Sequence, residues 1–217
     1  MNSSTLQVDF VSDVACPWCA VGLASFERAL EQVGDEIAVE LHFQPFELNP
    51  TMAPEGADAA AYLMAKYGIS HEQLAENRQR IAERGAAVGF SFGERRHVWN
   101  TFDAHRLLHW ADAEGPAGSQ RALKWALLKA YHGQGRNPGA HDVLLELVAA
   151  LGLDGDRARE VLASSEFTQA VREAERFWQQ AGIHAVPAVV INRRHLVSGG
   201  QPPEVFAQAL RQIAAEG

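Results

Sequence analysis

Leu6-Gln7-Val8-Asp9-Phe10-Val11-Ser12-Asp13-Val14-Ala15-Cys16-Pro17-Trp18-Cys19 is the stretch on which the fold turns. Leu6, Val8 and Phe10 alternate with Gln7 and Asp9, the two-residue period of a half-buried strand. Beyond it, Cys19, Leu23, Phe26, Leu30 and Val33 recur at spacings of 4, 3, 4 and 3, a single apolar stripe that packs a helix on a sheet. Pro17 suits the first helical position, where no amide donor is needed, and Gly34-Asp35 ends the pattern, so a helix is predicted from about Pro17 to Val33. The only two cysteines of the chain therefore share one helix start.

That placement has a chemistry. Helical residues three apart have Cβ atoms about 5–6 Å from each other, and disulfides span Cα separations of ~4.4–6.8 Å, so such a pair opens and closes without refolding. Orphan amides and the macrodipole favour a thiolate on Cys16, whereas Cys19 lies on the buried stripe. Cys16 is the expected nucleophile and Cys19 the resolving thiol. Two other readings are a half zinc site and an incidental core pair. Zinc requires four ligands and there is no second cysteine pair, although nine histidines are present; no metal site is expected.

Outward from this stretch, Ile37, Val39, Leu41 and Phe43 alternate with Ala38, Glu40 and His42, giving β-α-β with parallel strands. Near the other end Ala188–Ile191 and His195–Val197 flank Asn192-Arg193-Arg194 as a hairpin. Gly199-Gly200 and Pro202-Pro203 then lead into a helix carrying Val205, Phe206, Ala209, Leu210 and Ile213 on one side. Residues from about Leu48 to Ala181 have helical periodicity, almost no strand signal, and breaks that divide them into about six or seven helices. Neither outer piece buries its apolar face alone. The expected architecture is an α/β domain formed by residues 1–47 and 182–217, interrupted by a helical insertion at 48–181.

The 217 residues contain no apolar run of membrane-spanning length, and the first five lack the basic and apolar regions of a signal peptide. A cytoplasmic location is expected, where a persistent structural disulfide is disfavoured and a transient catalytic one is not. A net charge of −8 argues against nucleic acid as a partner, and no membrane partner is expected.

Cys-Pro-Trp-Cys at a helix start, the split β-α-β and β-β-α frame, the helical insertion and Val186-Pro187 before the third strand together resemble the thioredoxin superfamily. The closer resemblance is to its DsbA family, in the branch called FrnE-like or 2-hydroxychromene-2-carboxylate isomerase-like. It rests further on Gln44-Pro45-Phe46-Glu47-Leu48-Asn49-Pro50, on Asn100-Thr101 with Ala104-His105-Arg106-Leu107, and on Val197-Ser198-Gly199-Gly200-Gln201. The resemblance implies a thioredoxin-like fold and a cis Pro187 packed against the cysteines. It also implies that Val186 offers its backbone to an extended substrate, with Asn100, Thr101 and His105 near the cleft wall. The chain departs from the branch at Ala20, where an aromatic residue commonly follows the second cysteine.

The expected activity is thiol–disulfide exchange on a disulfide-containing protein or small thiol. Electrons pass through the cysteine pair itself, so no cofactor is needed, although glutathione is a conceivable co-substrate. Relatives in the branch also include glutathione-dependent isomerases or transferases, in which serine commonly replaces the first cysteine; a non-catalytic zinc or interaction module is the third reading. Pro17 and Trp18 are expected to face substrate, with Trp18 exposed at the mouth. Asp13 is read as a turn residue before a proton acceptor, and the remaining tryptophans, Trp99, Trp110, Trp125 and Trp178, as core. His105 and His109 stand one helical turn apart without the intervening glutamate of a zincin helix. The sequence leaves monomer and homodimer both open.

Overall fold

The computed structural model describes residues 5–216. The chain runs β1 (Leu6–Ser12), α1 (Pro17–Val33), a 3-10 turn (Gly34–Glu36) and β2 (Val39–Pro45). A helical block follows, with β3 (Ala57–Asp58), α2 (Ala59–Tyr67), α3 (His71–Ala87), β4 (His97–Val98), α4 (Phe102–Ala113) and α5 (Ser119–Leu128). A π-helical turn (Lys129–Gly133) then precedes α6 (His141–Ala150), α7 (Gly155–Ala163) and α8 (Thr168–Gln180). The chain closes with β5 (Ala188–Ile191), β6 (His195–Ser198) and α9 (Pro203–Ala215).

The four-stranded sheet has the order β2-β1-β5-β6. β1 pairs parallel with β2, Phe10 facing Phe43, and antiparallel with β5, Phe10 facing Val189. This is the thioredoxin-like α/β frame with a helical insertion. As the second strand in from one edge, with packing on both faces, β1 is buried from Val8 to Ser12, so its polar alternation stops at Gln7. On one face Val8 and Phe10 pack with Leu23 and Phe26 of α1 and Phe206 and Leu210 of α9. Phe26 meets Phe206 edge-on at 5.4 Å between ring centroids; each such buried side chain contributes about 1.5–3 kcal/mol through the hydrophobic effect. On the other face Val11 and Val190 pack with Phe46 and Trp178. A separate core within the helical block gathers Leu107, Trp110, Leu123, Leu127, Tyr131 and Leu144 and reaches Val14 and Ala15, just before the cysteines.

α1 spans the residues its stripe and terminators predict. Gly34 ends it at φ +52°, a left-handed conformation suited to glycine. The second strand starts at Val39 instead of Ile37, because the 3-10 turn occupies the connection and the ladder begins with Leu6 opposite Val39. The helical block contains the two-residue pairing of β3 with β4, which the sequence reading did not anticipate. Trp110 and Trp178 are buried as expected, but Trp99 and Trp125 are only half-buried.

Candidate active site

Three residues separate β1 from Cys16, and each is held from outside the sheet. Asp13 accepts the Ala15 amide at 3.0 Å and the Thr101 hydroxyl at 2.8 Å through Oδ1, and the Leu48 amide at 2.7 Å through Oδ2. His105 Nε2 lies 3.3 Å from Oδ1. Burial opposes the charge of Asp13, but the hydrogen bond and charge of His105 and the two amides outweigh it, so the carboxyl ionises below its ordinary range. The Val14 carbonyl accepts from His132 Nε2 at 2.8 Å, and the Ala15 carbonyl from Arg95 Nη1 at 3.1 Å. Arg95 also lies over the Tyr131 ring, 5.2 Å from its centroid. The turn before the cysteines is thus clamped by α4 and by the π-helical turn.

Cys16 takes the extended conformation of an N-cap (φ −87°, ψ 114°), and Pro17 begins the helix. Its Sγ lies 3.6 Å from the Val186 carbonyl oxygen, and the Val186–Pro187 peptide bond is cis. Gly22, one turn along α1, leaves room for that loop: a Cβ there would come within 2.8 Å of Pro187 Cγ.

The two cysteines are free thiols with opposed acidities. Cys16 ionises below the ordinary thiol range. The largest cause is the hydrogen bond from the Cys19 thiol; burial opposes it, the Cys19 and Trp18 amides assist, and the charge of Asp13 opposes. Cys19 is pushed well above that range by burial and by sharing its proton with Cys16. The helix amino end therefore contributes to the thiolate, but its sulfur neighbour contributes more. Beneath the pair, Lys124 of α5 is 1% exposed and its Nζ has no hydrogen-bond partner among the described residues. Burial pulls its pKa down, while the negative charges of Cys19, Asp13 and Cys16 act the other way.

A cavity of about 620 Å³ opens beside Cys16, between α1, the helices α2 and α3, and the loop before Pro187. Cys16 itself is only 4% exposed and reaches solvent through this cavity. Pro17, Trp18 and Val186 line it, with Trp18 half-buried instead of fully exposed. Asn100, Thr101 and His105 do not line it. Thr101 and His105 are buried beneath the cysteines on Asp13, and Asn100 donates to the Met52 carbonyl and accepts the Phe102 amide. The expected place at the cleft wall is corrected: Thr101 and His105 support the turn through Asp13, and Asn100 ties the start of α4 to Met52. His109 packs beside Phe167, with ring centroids 5.2 Å apart, turned from the Asp13 contact of His105. Ala20 is fully buried in the sheet core, so the departure from the branch there does not shape the cavity.

The family model of the DSBA-like thioredoxin domain matches residues 7–211. The chain belongs to this family. A probable DsbA oxidoreductase from Streptomyces coelicolor is 38% identical, with a TM-score of 0.90 over 98% of this chain and 91% of that one. The uncharacterized protein YwbO of Bacillus subtilis is 28% identical over 95% of this chain and 96% of its own length. A 2-hydroxychromene-2-carboxylate isomerase shares the fold at a TM-score of 0.73 and 14% identity, covering 97% of each chain. The DsbA-family resemblance read from the motifs holds.

Arg95, His132 and Lys124 were not legible in the sequence as parts of this DSBA-like site. Their sequence separations from the turn and cysteines they serve run from about 80 to about 120 residues, and none lies in a motif. The one available sign was the Gly133-Gln134-Gly135 break, which follows immediately on His132.

Proposed function

We propose that this DSBA-like protein is a thiol–disulfide oxidoreductase in which Cys16 is the nucleophile and Cys19 the resolving thiol. The observation that carries the reading is the opposed acidity of two adjacent thiols at one helix start, with only the first opening on a cavity. The Cys16 thiolate attacks a substrate disulfide, forms a mixed disulfide and expels the other sulfur as a thiolate. Cys19 then loses its proton and attacks Cys16 Sγ, closing the Cys16–Cys19 disulfide and releasing the second substrate thiolate; the reverse sequence oxidises a substrate dithiol. Val186, its carbonyl beside Cys16 Sγ, lines the approach. The Cys16–Cys19 pair is the only redox group the scheme requires. No helix is long and apolar enough to cross a membrane among the described residues, and we assign the protein to the cytoplasm on the thiol chemistry of that compartment.

Cys19→Ser, expressed and quenched in acid, should accumulate a mixed disulfide at Cys16, because attack proceeds and resolution does not. Cys16→Ser should accumulate none. Equal trapping by both variants sinks the assignment of roles, and a glutathione-dependent isomerase activity that survives in Cys19→Ala moves the protein to the other chemistry of its branch.

A further inference from the structure

The chain carries a net charge of −8, yet the wall of the cavity beside Cys16 carries four cationic side chains, Lys66, Arg78, Arg80 and Arg95, and no carboxylate among the described residues. Elsewhere most arginines are neutralised, Arg96 by Glu94 at 2.8 Å and Arg136 by Glu146 at 2.5 Å, for example. Around the cavity none of the four has an ion-pair partner among the described residues. Lys66 donates to the Leu48 carbonyl and the Asn49 side chain, both at the cavity wall. Arg80 donates to Asn77, and Arg95 to the Ala15 carbonyl next to Cys16. Glu94, which feels the charge of Arg78, is already held by Arg96. Neutral acceptors orient Lys66, Arg80 and Arg95 without cancelling them. A concave site lined by one sign of charge on low-dielectric walls concentrates the opposite sign, raising encounter rates by about 10–10³-fold.

We propose that this cavity selects a small disulfide bearing carboxylates, whose scissile sulfur is delivered to Cys16 while its anionic ends meet Arg78, Arg80 and Lys66. The proposal rests on the oxidoreductase reading above and adds its substrate class. The cavity volume is that of a small-molecule site, and leucine and isoleucine side chains of α2 and α3 supply its apolar surface. In the forward direction the dithiol gives two electrons to the bound disulfide. Cys16 and Cys19 end as a disulfide, and the two carboxylate-bearing thiolates leave and take up protons from water.

Single-turnover oxidation of the reduced protein by three probes tests this: dithiodiglycolate with two carboxylates, 2-hydroxyethyl disulfide with no charge, and cystamine with two ammonium groups. Each rate is divided by that of the same disulfide with a free small thiol, which removes intrinsic reactivity. The normalised rate should fall from dianion to neutral to dication, by at least about tenfold across the first step, and the advantage should shrink as salt is added. Arg78→Gln with Arg80→Gln should compress the dianion-to-neutral ratio, while Arg121→Gln, outside the cavity, should leave it alone. Equal normalised rates for all three probes, or a preference for cystamine, overturn the substrate class and leave the oxidoreductase reading standing. No oxidation of the cysteines by any probe overturns both. A disulfide within an acidic polypeptide that outruns dithiodiglycolate overturns the small-molecule assignment.

Discussion

Lys124 places an ammonium group under the cysteines with no acceptor for its protons among the described residues. An unsatisfied buried donor costs about 1–3 kcal/mol, more when charged. Its pKa is depressed in the fold, so the unfolded chain binds that proton more readily; the penalty is in force at neutral pH and vanishes above about 10.5, where both states are neutral. Lys124→Met, which keeps the length of the side chain, should therefore raise stability at pH 7 by about 1–3 kcal/mol in urea unfolding. It should also slow closure of the Cys16–Cys19 disulfide, because the cation lowers the pKa of Cys19. A variant that is both less stable and unchanged in closure rate would refute this account. The neighbouring thiols give a second residue-level prediction. Because the Cys19 thiol is the largest cause of the lowered Cys16 pKa, Cys19→Ala should move Cys16 ionisation up, read by thiolate absorbance, and Cys19→Ser, which retains a donor, should move it less. No shift in either variant would transfer the effect to the helix amides.

At the scale of elements, the site is where three segments converge on the first turns of α1. The loop carrying Pro187 and the Gly199–Gly200 entry to α9 both approach Gly22, whose missing side chain would lie 2.8 Å from Pro187 Cγ and 3.4 Å from Gly200 Cα. Gly22→Ala should push the Pro187 loop off α1. Overpacking of this kind costs about 1–3 kcal/mol, and because Val186 is attached to the displaced loop, exchange at Cys16 should slow as well. Thermal unfolding and single-turnover exchange on the variant check both effects; wild-type values in both would show that the loop shifts freely. The π-helical turn acts on the opposite side, where Arg95 and His132 meet the Ala15 and Val14 carbonyls. Such turns interrupt the regular hydrogen-bond ladder and recur at functional positions; here the interruption places Tyr131 under Arg95 and His132 against the Val14 carbonyl.

For the molecule as a whole, what was legible in the sequence follows from the range of the interactions. α1 was readable because its stripe, Pro17 and Gly34 are all local, and the outer strands because alternation is local. The supports of Asp13 were not, since a buried hydrogen bond between residues some 35 to 90 positions apart leaves no periodic trace. The Asn100, Thr101 and His105 segment was recognised by its motif, yet its position relative to the cavity depended on packing. The same long-range packing sets acid stability. His132 is buried, donates to Val14, and is driven down to about 3 by burial and by the charge of Arg95. In the unfolded chain a histidine titrates near 6.5, so between about 6.5 and 3 the unfolded state binds a proton the fold refuses. Stability must therefore fall as pH drops through that window, by about 1.4 kcal/mol per pH unit from this residue once well below 6.5. Asp13, whose pKa is lowered by the fold, adds a further loss only below about 4. Glu47, raised first by burial, acts in the opposite sense just above 4.5, so the total profile does not isolate His132. The difference between the protein and a His132→Gln variant does, because a glutamine amide can still donate to Val14 and has no proton to gain. Urea unfolding at pH 7, 5.5 and 4.5 should show the variant gaining on the parent as pH falls, and parallel profiles would mean that His132 takes up its proton in the fold over the same range as in the unfolded chain.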